Sequence, residues 1–213
     1  MRVIDLSENA QTALDAAAEV IRAGGVVALP TDTVYGLVAD AMNEQAIRKI
    51  FAMKERPKEK ALPVFVRDIA MARQYAYIHD AKARALERVW PGRVTVVFHH
   101  KEKLPTALTG GVMTVGVRIP NHPFLARLLA ECDAPLAQTS ANISNEPPAN
   151  TAAEVERYFS DSACAPDLLI DGGKTPGTPS TVIDFTKDRP LVLRTGLVSK
   201  NELDQILNGF YTG

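Results

Sequence analysis

The alternation of apolar and polar positions divides the chain into short strands and amphipathic helices that interleave along its whole length. Arg2 to Leu6 reads as a first strand, with Ser7 capping the helix that follows and Glu8 in its first turn. Ala10, Leu14, Ala17, Ala18 and Ile21 share one face at helical spacing, and Gly24-Gly25 ends that helix. Val26 to Leu29 is an apolar run of strand length. It runs into Pro30-Thr31-Asp32-Thr33-Val34-Tyr35-Gly36-Leu37, a loop crowded with two hydroxyls, a carboxylate and a phenol. A polar loop directly after a core strand is where ligands collect in open α/β sheets, although Thr and Asp also bond their own turns.

A second helix spans Glu44 to Met53 with Ile47, Ile50 and Phe51 inward, and Pro57 should halt it near Arg56. Leu62 to Val66 reads as a strand. A helix from about Ala81 to Trp90 and a strand from Val94 to Phe98 flank the breaker Pro91-Gly92. In the strand Val112 to Ile119, Val115, Val117 and Ile119 share a face, which sends Arg118 to the other side. After Pro120 and Pro123 a helix ends near Cys132, and Leu136 to Thr139 leads into Ser140-Ala141-Asn142. Thr151 to Glu154 and Ser199 to Glu202 are capping boxes, the second opening a final helix with Leu203, Ile206 and Leu207 inward. Leu168–Asp171, Thr181–Phe185 and Leu191–Arg194 complete the strands. The pattern predicts an α/β protein of one domain, residues 1–213, with a mixed parallel and antiparallel sheet flanked by helices.

Composition narrows the class further. With 46% hydrophobic and 23% charged residues, the 213-residue chain can bury a sizeable core. A net charge of -1 excludes a globally basic nucleic-acid binder but permits a local basic patch. Cys132 and Cys164 lie far apart, so neither a disulfide framework nor a zinc site is indicated, and both are expected as small buried side chains. No apolar run reaches the ~20 residues of a membrane span. Asp5 follows Met1 too closely for a signal peptide, so a cytoplasmic location is expected.

Several familiar chemistries fail on spacing. Gly172-Gly173-Lys174-Thr175 resembles the tail of a P-loop, but the required earlier glycine is Leu168. Neither Gly-x-Gly-x-x-Gly nor Gly-x-Ser-x-Gly occurs, and His99-His100 point to opposite faces of a strand. The run Lys54 to Lys60 sets four cations against two acids. Such a run is usually a solvated surface, yet Arg offers a fork and Lys a point charge to a phosphate. Together with hydroxyls and amides at Ser140-Ala141-Asn142 and Pro179-Ser180-Thr181, the inventory suits an anionic, polyphosphate-like ligand and a small polar co-substrate.

Six segments then occur in one order: Pro30 to Leu37, Lys54-x-Arg56-Pro57, Pro91-Gly92-x-x-Thr95, Val115 to Pro120, Thr139 to Asn142, and Pro179 to Asp184. Together they closely resemble the YrdC/Sua5 family, the L-threonylcarbamoyladenylate synthases, and the chain resembles the short form without the extra C-terminal domain. The resemblance implies a twisted, open mixed sheet with a concave, positively charged face. It implies a nucleotidyltransferase that converts L-threonine, bicarbonate (or carbon dioxide) and ATP, with magnesium, to L-threonylcarbamoyladenylate and pyrophosphate. Partner proteins would then transfer the threonylcarbamoyl group to an adenosine of tRNA.

By motif position, the resemblance makes Lys54 and Arg56 catalytic cations that hold the triphosphate with Lys60. Thr114, Ser140, Asn142 and Arg194 would line the ATP site. Thr31, Thr33, Arg118, Ser180 and Thr181 would hold threonine, Arg118 by a bidentate fork on its carboxylate. Ser180 and Thr181 could instead bond a turn, and Arg194 could form a surface ion pair of ~0–1 kcal/mol. Two positions depart from the family pattern. Phe65 stands where many relatives carry a His that faces threonine, and Asn145 where many carry Gly; Asn tolerates the left-handed backbone. Rival readings are a double-stranded-RNA or tRNA-binding module without chemistry, and a carbamoyl-transfer enzyme of the hydrogenase-maturation type. The latter is disfavoured by the lack of an acylphosphatase-like or zinc-finger segment.

Overall fold

Among the described residues ten strands form one sheet, flanked by eight helices. The computed structural model describes residues 1–207 apart from 58, 59, 161, 163 and 188. Lys58 and Glu59 of the cationic run therefore lie outside the described residues. In chain order the elements are β1 (Arg2–Asp5), α1 (Ala10–Arg22), β2 (Val27–Leu29), β3 (Gly36–Asp40), α2 (Glu44–Lys54), β4 (Val64–Phe65), α3 (Ile69–Tyr75), α4 (Asp80–Leu86) and β5 (Val94–His99). They continue with α5 (Thr106–Thr109), β6 (Thr114–Arg118), α6 (Pro123–Cys132), β7 (Leu136–Ser140), α7 (Ala152–Phe159), β8 (Leu168–Asp171), β9 (Thr181–Asp184), β10 (Leu191–Arg194) and α8 (Lys200–Ile206). The sheet order is β1-β8-β2-β3-β7-β4-β6-β5-β9-β10. Pairs β1–β8, β8–β2, β4–β6 and β5–β9 are parallel and the rest antiparallel, which is the mixed sheet expected.

The two faces of this sheet are treated differently, and that difference makes the site. Val94, Val96 and Phe98 of β5, Val115 and Val117 of β6 and Ile183 of β9 all point into the larger core, with α2, α3, α4, α7 and α8 packed over it. On the opposite face a smaller core joins Val27, Leu29, Val38, Phe65, Leu136, Leu168 and Ile170 to α1 and α6. That helix layer stops at the row Phe65, Leu136 and Arg118, which are register partners across β4, β7 and β6. Beyond it, Thr114, Gly116, Thr95, Val97, Val182 and Leu193 line an open hollow on the same face.

Local chemistry departs from expectation at several points. The cap of α1 is Asn9, whose Oδ1 accepts from Gln11 N and Thr12 N; Ser7 instead donates twice to Asp5 Oδ1. Strand β3 falls inside and beyond the expected loop. It is buried on both faces, so it carries no alternation to announce it. Helix α3, capped by Asp68, and the single turn α5 were also not anticipated. The box at Thr151 is half formed, since Glu154 Oε2 takes the amide of Asn150; the box at Ser199 is complete. Cys132 is half-buried against the smaller core, but Cys164 is exposed, contrary to expectation. Asn145 holds φ 74°, the left-handed conformation its side chain permits.

Candidate active site

The hollow is a cavity of about 560 Å³, within the size range of small-molecule sites. Thr33, Arg56, Thr114, Arg118, Ser140, Asn142, Ser180 and Arg194 all line it. Eight of the twelve residues expected to bind ligand therefore converge, from both ends of the chain. They arrive on the loop after β2, the loop after α2, both ends of β6, the end of β7, the start of β9 and the end of β10.

Each of the three arginines that line the cavity is pinned through its guanidinium. Arg56 donates from Nε to Lys60 O (3.4 Å) and from one terminal nitrogen to Ala61 O (3.0 Å), bracing it along its own loop. Arg194 donates to Ser180 O from Nε (3.2 Å) and a terminal nitrogen (2.9 Å), and to Ser180 Oγ at 3.3 Å. Ser180 Oγ in turn lies 3.0 Å from Thr95 Oγ1, both hydroxyls being buried. Arg118 is only 2% exposed. It donates from Nε to Gly92 O (2.9 Å) and from its terminal nitrogens to Asp32 Oδ1 (2.5 Å) and Thr33 Oγ1 (3.3 Å). Burial pushes all three guanidinium groups below their ordinary value; for Arg118, Asp32 opposes that push.

Four expected residues stand outside the cavity wall. Lys54 is 2% exposed and spends its three ammonium hydrogens on Ser140 O (2.7 Å), Asn142 O (2.7 Å) and Asn142 Oδ1 (2.9 Å). It holds the Ser140-Ala141-Asn142 turn rather than presenting a free charge to the hollow. Asn142 completes the turn by donating from Nδ2 to Ile143 O and Glu146 O. Thr31 Oγ1 bonds Thr33 Oγ1 (2.8 Å) and Val34 O (2.7 Å), so it shapes the loop. Thr181 Oγ1 donates to Val198 O and accepts from Gly196 N and Val198 N, which ties β9 to the chain after β10. Lys60 is exposed and does not line the cavity; only its carbonyl takes part, as the acceptor for Arg56. Phe65, the departure from the family pattern, faces the smaller core, its ring centroid 5.6 Å from Arg118 Cζ.

Sequence reasoning missed Thr95 and Asp32 as site partners. The first was findable, because Val94, Val96 and Phe98 pointing inward sends Thr95 to the other face. The second was signalled only by the rule that a buried arginine needs a counter-ion. Among the described residues no group of three or more His, Cys, Asp or Glu could hold a metal ion, and Glu146 is the single acid lining the cavity. No helix of the described chain is long and apolar enough to cross a membrane.

The family model described as telomere recombination, Sua5/YciO/YrdC, matches residues 19–196. The chain belongs to the Sua5/YciO/YrdC family. Among the relatives of this family member, a threonylcarbamoyl-AMP synthase of Pyrococcus abyssi is 38% identical over 90% of the chain. One of Bacillus subtilis is 37% identical over 95% of it. The chain spans 56% and 58% of those two relatives' own lengths. A crystal structure of P. abyssi Sua5 complexed with L-threonine superposes with a TM-score of 0.88 at 34% identity, covering 97% of this chain and 61% of that one.

Proposed function

We propose that this member of the Sua5/YciO/YrdC family is an L-threonylcarbamoyladenylate synthase, a nucleotidyltransferase joining L-threonine, bicarbonate or carbon dioxide, and ATP. The observation that carries this reading is the convergence of Arg56, Arg118 and Arg194 on one cavity floored with hydroxyls. One cationic fork suits an amino-acid carboxylate and two suit a phosphate chain. The threonine complex of the P. abyssi relative adds support for the amino acid.

The chemistry requires no covalent enzyme intermediate. The threonine amine attacks carbon dioxide and loses a proton to give the N-carboxylate, and one of its oxygens then attacks the α-phosphorus of ATP. The bond from that phosphorus to the bridging oxygen breaks, and pyrophosphate leaves with the electron pair. Negative charge builds on phosphate oxygens, so the catalytic contribution is positioning plus fixed positive charge from Arg56 and Arg194. Thr33 and Arg118 hold the amino acid, with Ser180 between Arg194 and Thr95. Among the described residues no group of three or more His, Cys, Asp or Glu could hold a resident metal; magnesium would enter on the nucleotide's own phosphates, as part of the substrate. Partner proteins would take the adenylate onward to tRNA in the cytoplasm.

The test is pyrophosphate release from ATP, with mass spectrometry for the threonylcarbamoyl adenylate. Release is expected only when threonine and bicarbonate are both present. Release independent of threonine, or binding of tRNA with no product, would refute the assignment.

A further inference from the structure

Asp32 does not line the cavity, yet its carboxylate is the buried partner of an arginine that does. It is 7% exposed and sits between the two threonines of the loop after β2. We propose that Asp32 is the positioning residue that aims Arg118 at an amino-acid carboxylate, an inference that rests on the threonine-binding role given to Arg118.

The geometry leaves the guanidinium little freedom. Nε is committed to Gly92 O and one terminal nitrogen to Asp32 Oδ1. On the side of the smaller core the Phe65 ring lies against the group. The remaining terminal nitrogen reaches Thr33 Oγ1, and Thr33 and Arg118 share the cavity wall. The edge left for a ligand is therefore the one beside the Thr33 hydroxyl. Asp32 can impose this because it is itself held: Oδ2 accepts from Asn121 N (3.2 Å), and its carbonyl accepts from Arg93 Nε (2.9 Å). Without the carboxylate, a buried guanidinium would lack its counter-charge and turn toward whatever acceptor entered. The fork needs two N–H groups aligned with two oxygens, so a rotated guanidinium loses selectivity for a carboxylate.

The test uses calorimetry on the full chain with L-threonine, L-threonine amide and ATP. Asp32→Asn keeps the size of the side chain and an acceptor for Asn121 N while removing the charge. It is expected to weaken threonine binding about tenfold, the loss of one charge-assisted bond. ATP affinity should stay within about twofold, and the preference for threonine over its amide should fall toward that of Arg118→Ala. General structural damage would weaken all three ligands and leave that preference intact. An unchanged preference, or tighter threonine binding through an unmasked arginine, would overturn the proposal. Should Asp32→Asn fail to fold, Asp32→Glu keeps the charge but displaces it by a methylene. A folded Asp32→Glu that retains the full preference would equally overturn it. If Arg118→Ala itself leaves the preference untouched, the role of Arg118 is what fails, a separate outcome.

Discussion

The ammonium of Lys54 grips Asn142 twice, 2.7 Å from its carbonyl oxygen and 2.9 Å from its side-chain Oδ1. A third bond reaches Ser140 O, so one buried lysine at the end of α2 shapes the turn that follows β7. Lys54→Met should therefore destabilise the fold by ~2–4 kcal/mol, since it strands several buried acceptors. It should weaken AMP and ATP binding by similar factors, because the turn rather than a phosphate contact is lost. Nucleotide titrations check this: a loss confined to ATP would show that Lys54 touches the triphosphate directly.

The same lysine makes stability depend on pH. Burial, and then the charge of Arg56, push its ammonium from 10.5 down to about 7. The three oxygen acceptors favour the charged form and oppose that push. Between the folded value and the unfolded one the unfolded chain holds the extra proton, so unfolding free energy rises with pH across that window. Urea denaturation of wild type and Lys54→Met from pH 6 to ~10 should show the wild type gaining on the variant as pH climbs. A difference that stays flat would contradict the assignment.

Arg56 and Arg194 are expected to serve the nucleotide. Alanine at either position should raise the Kd for ATP at least ~10-fold, the scale of a charge-assisted hydrogen bond, and leave threonine binding within about twofold. Calorimetry with each ligand separately provides the check. Equal losses for both ligands would mean that these arginines shape the cavity instead.

Gly116 lies in the cavity floor where β6 meets β5. A Cβ there would come within 3.0 Å of Pro63 Cβ and 3.1 Å of Thr95 Cγ2. Gly116→Ala should cost ~1–2 kcal/mol of stability through overpacking, and Gly116→Val should fill the floor and abolish ligand binding. Thermal melts with and without ATP separate the two effects: Gly116→Val should melt cooperatively yet gain nothing from ATP.

Tyr35 is buried and its hydroxyl accepts from Gly172 N (3.1 Å) and donates to Gly173 O (2.8 Å). Burial pushes the phenol up to about 12, so it stays protonated through the working range. Tyr35→Phe should lower stability by ~1–2 kcal/mol and leave any inflection in activity against pH below 10 where the wild type has it. A lost inflection would give the phenol a chemical role.

The sequence by itself determined most of the element types, though not β3, α3 or α5, together with the mixed sheet and the pool of cations and hydroxyls, because helical and strand periodicities follow from local burial patterns. The side of β6 that carries Arg118 was legible too, since Val115 and Val117 had to face the core. Tertiary structure alone decided which of those polar groups meet. Arg194 and Arg56 lie far apart in the chain, and only the sheet order, with β7, β4, β6, β5, β9 and β10 side by side, brings them to one hollow. It also decided that Lys54, Thr31 and Thr181 turn their polar atoms onto the backbone, because buried donors must find acceptors and the nearest were turn carbonyls. A cation in a motif and a cation in a cavity share the same residue name; what separates them is the set of oxygens within 3 Å, which no local pattern encodes.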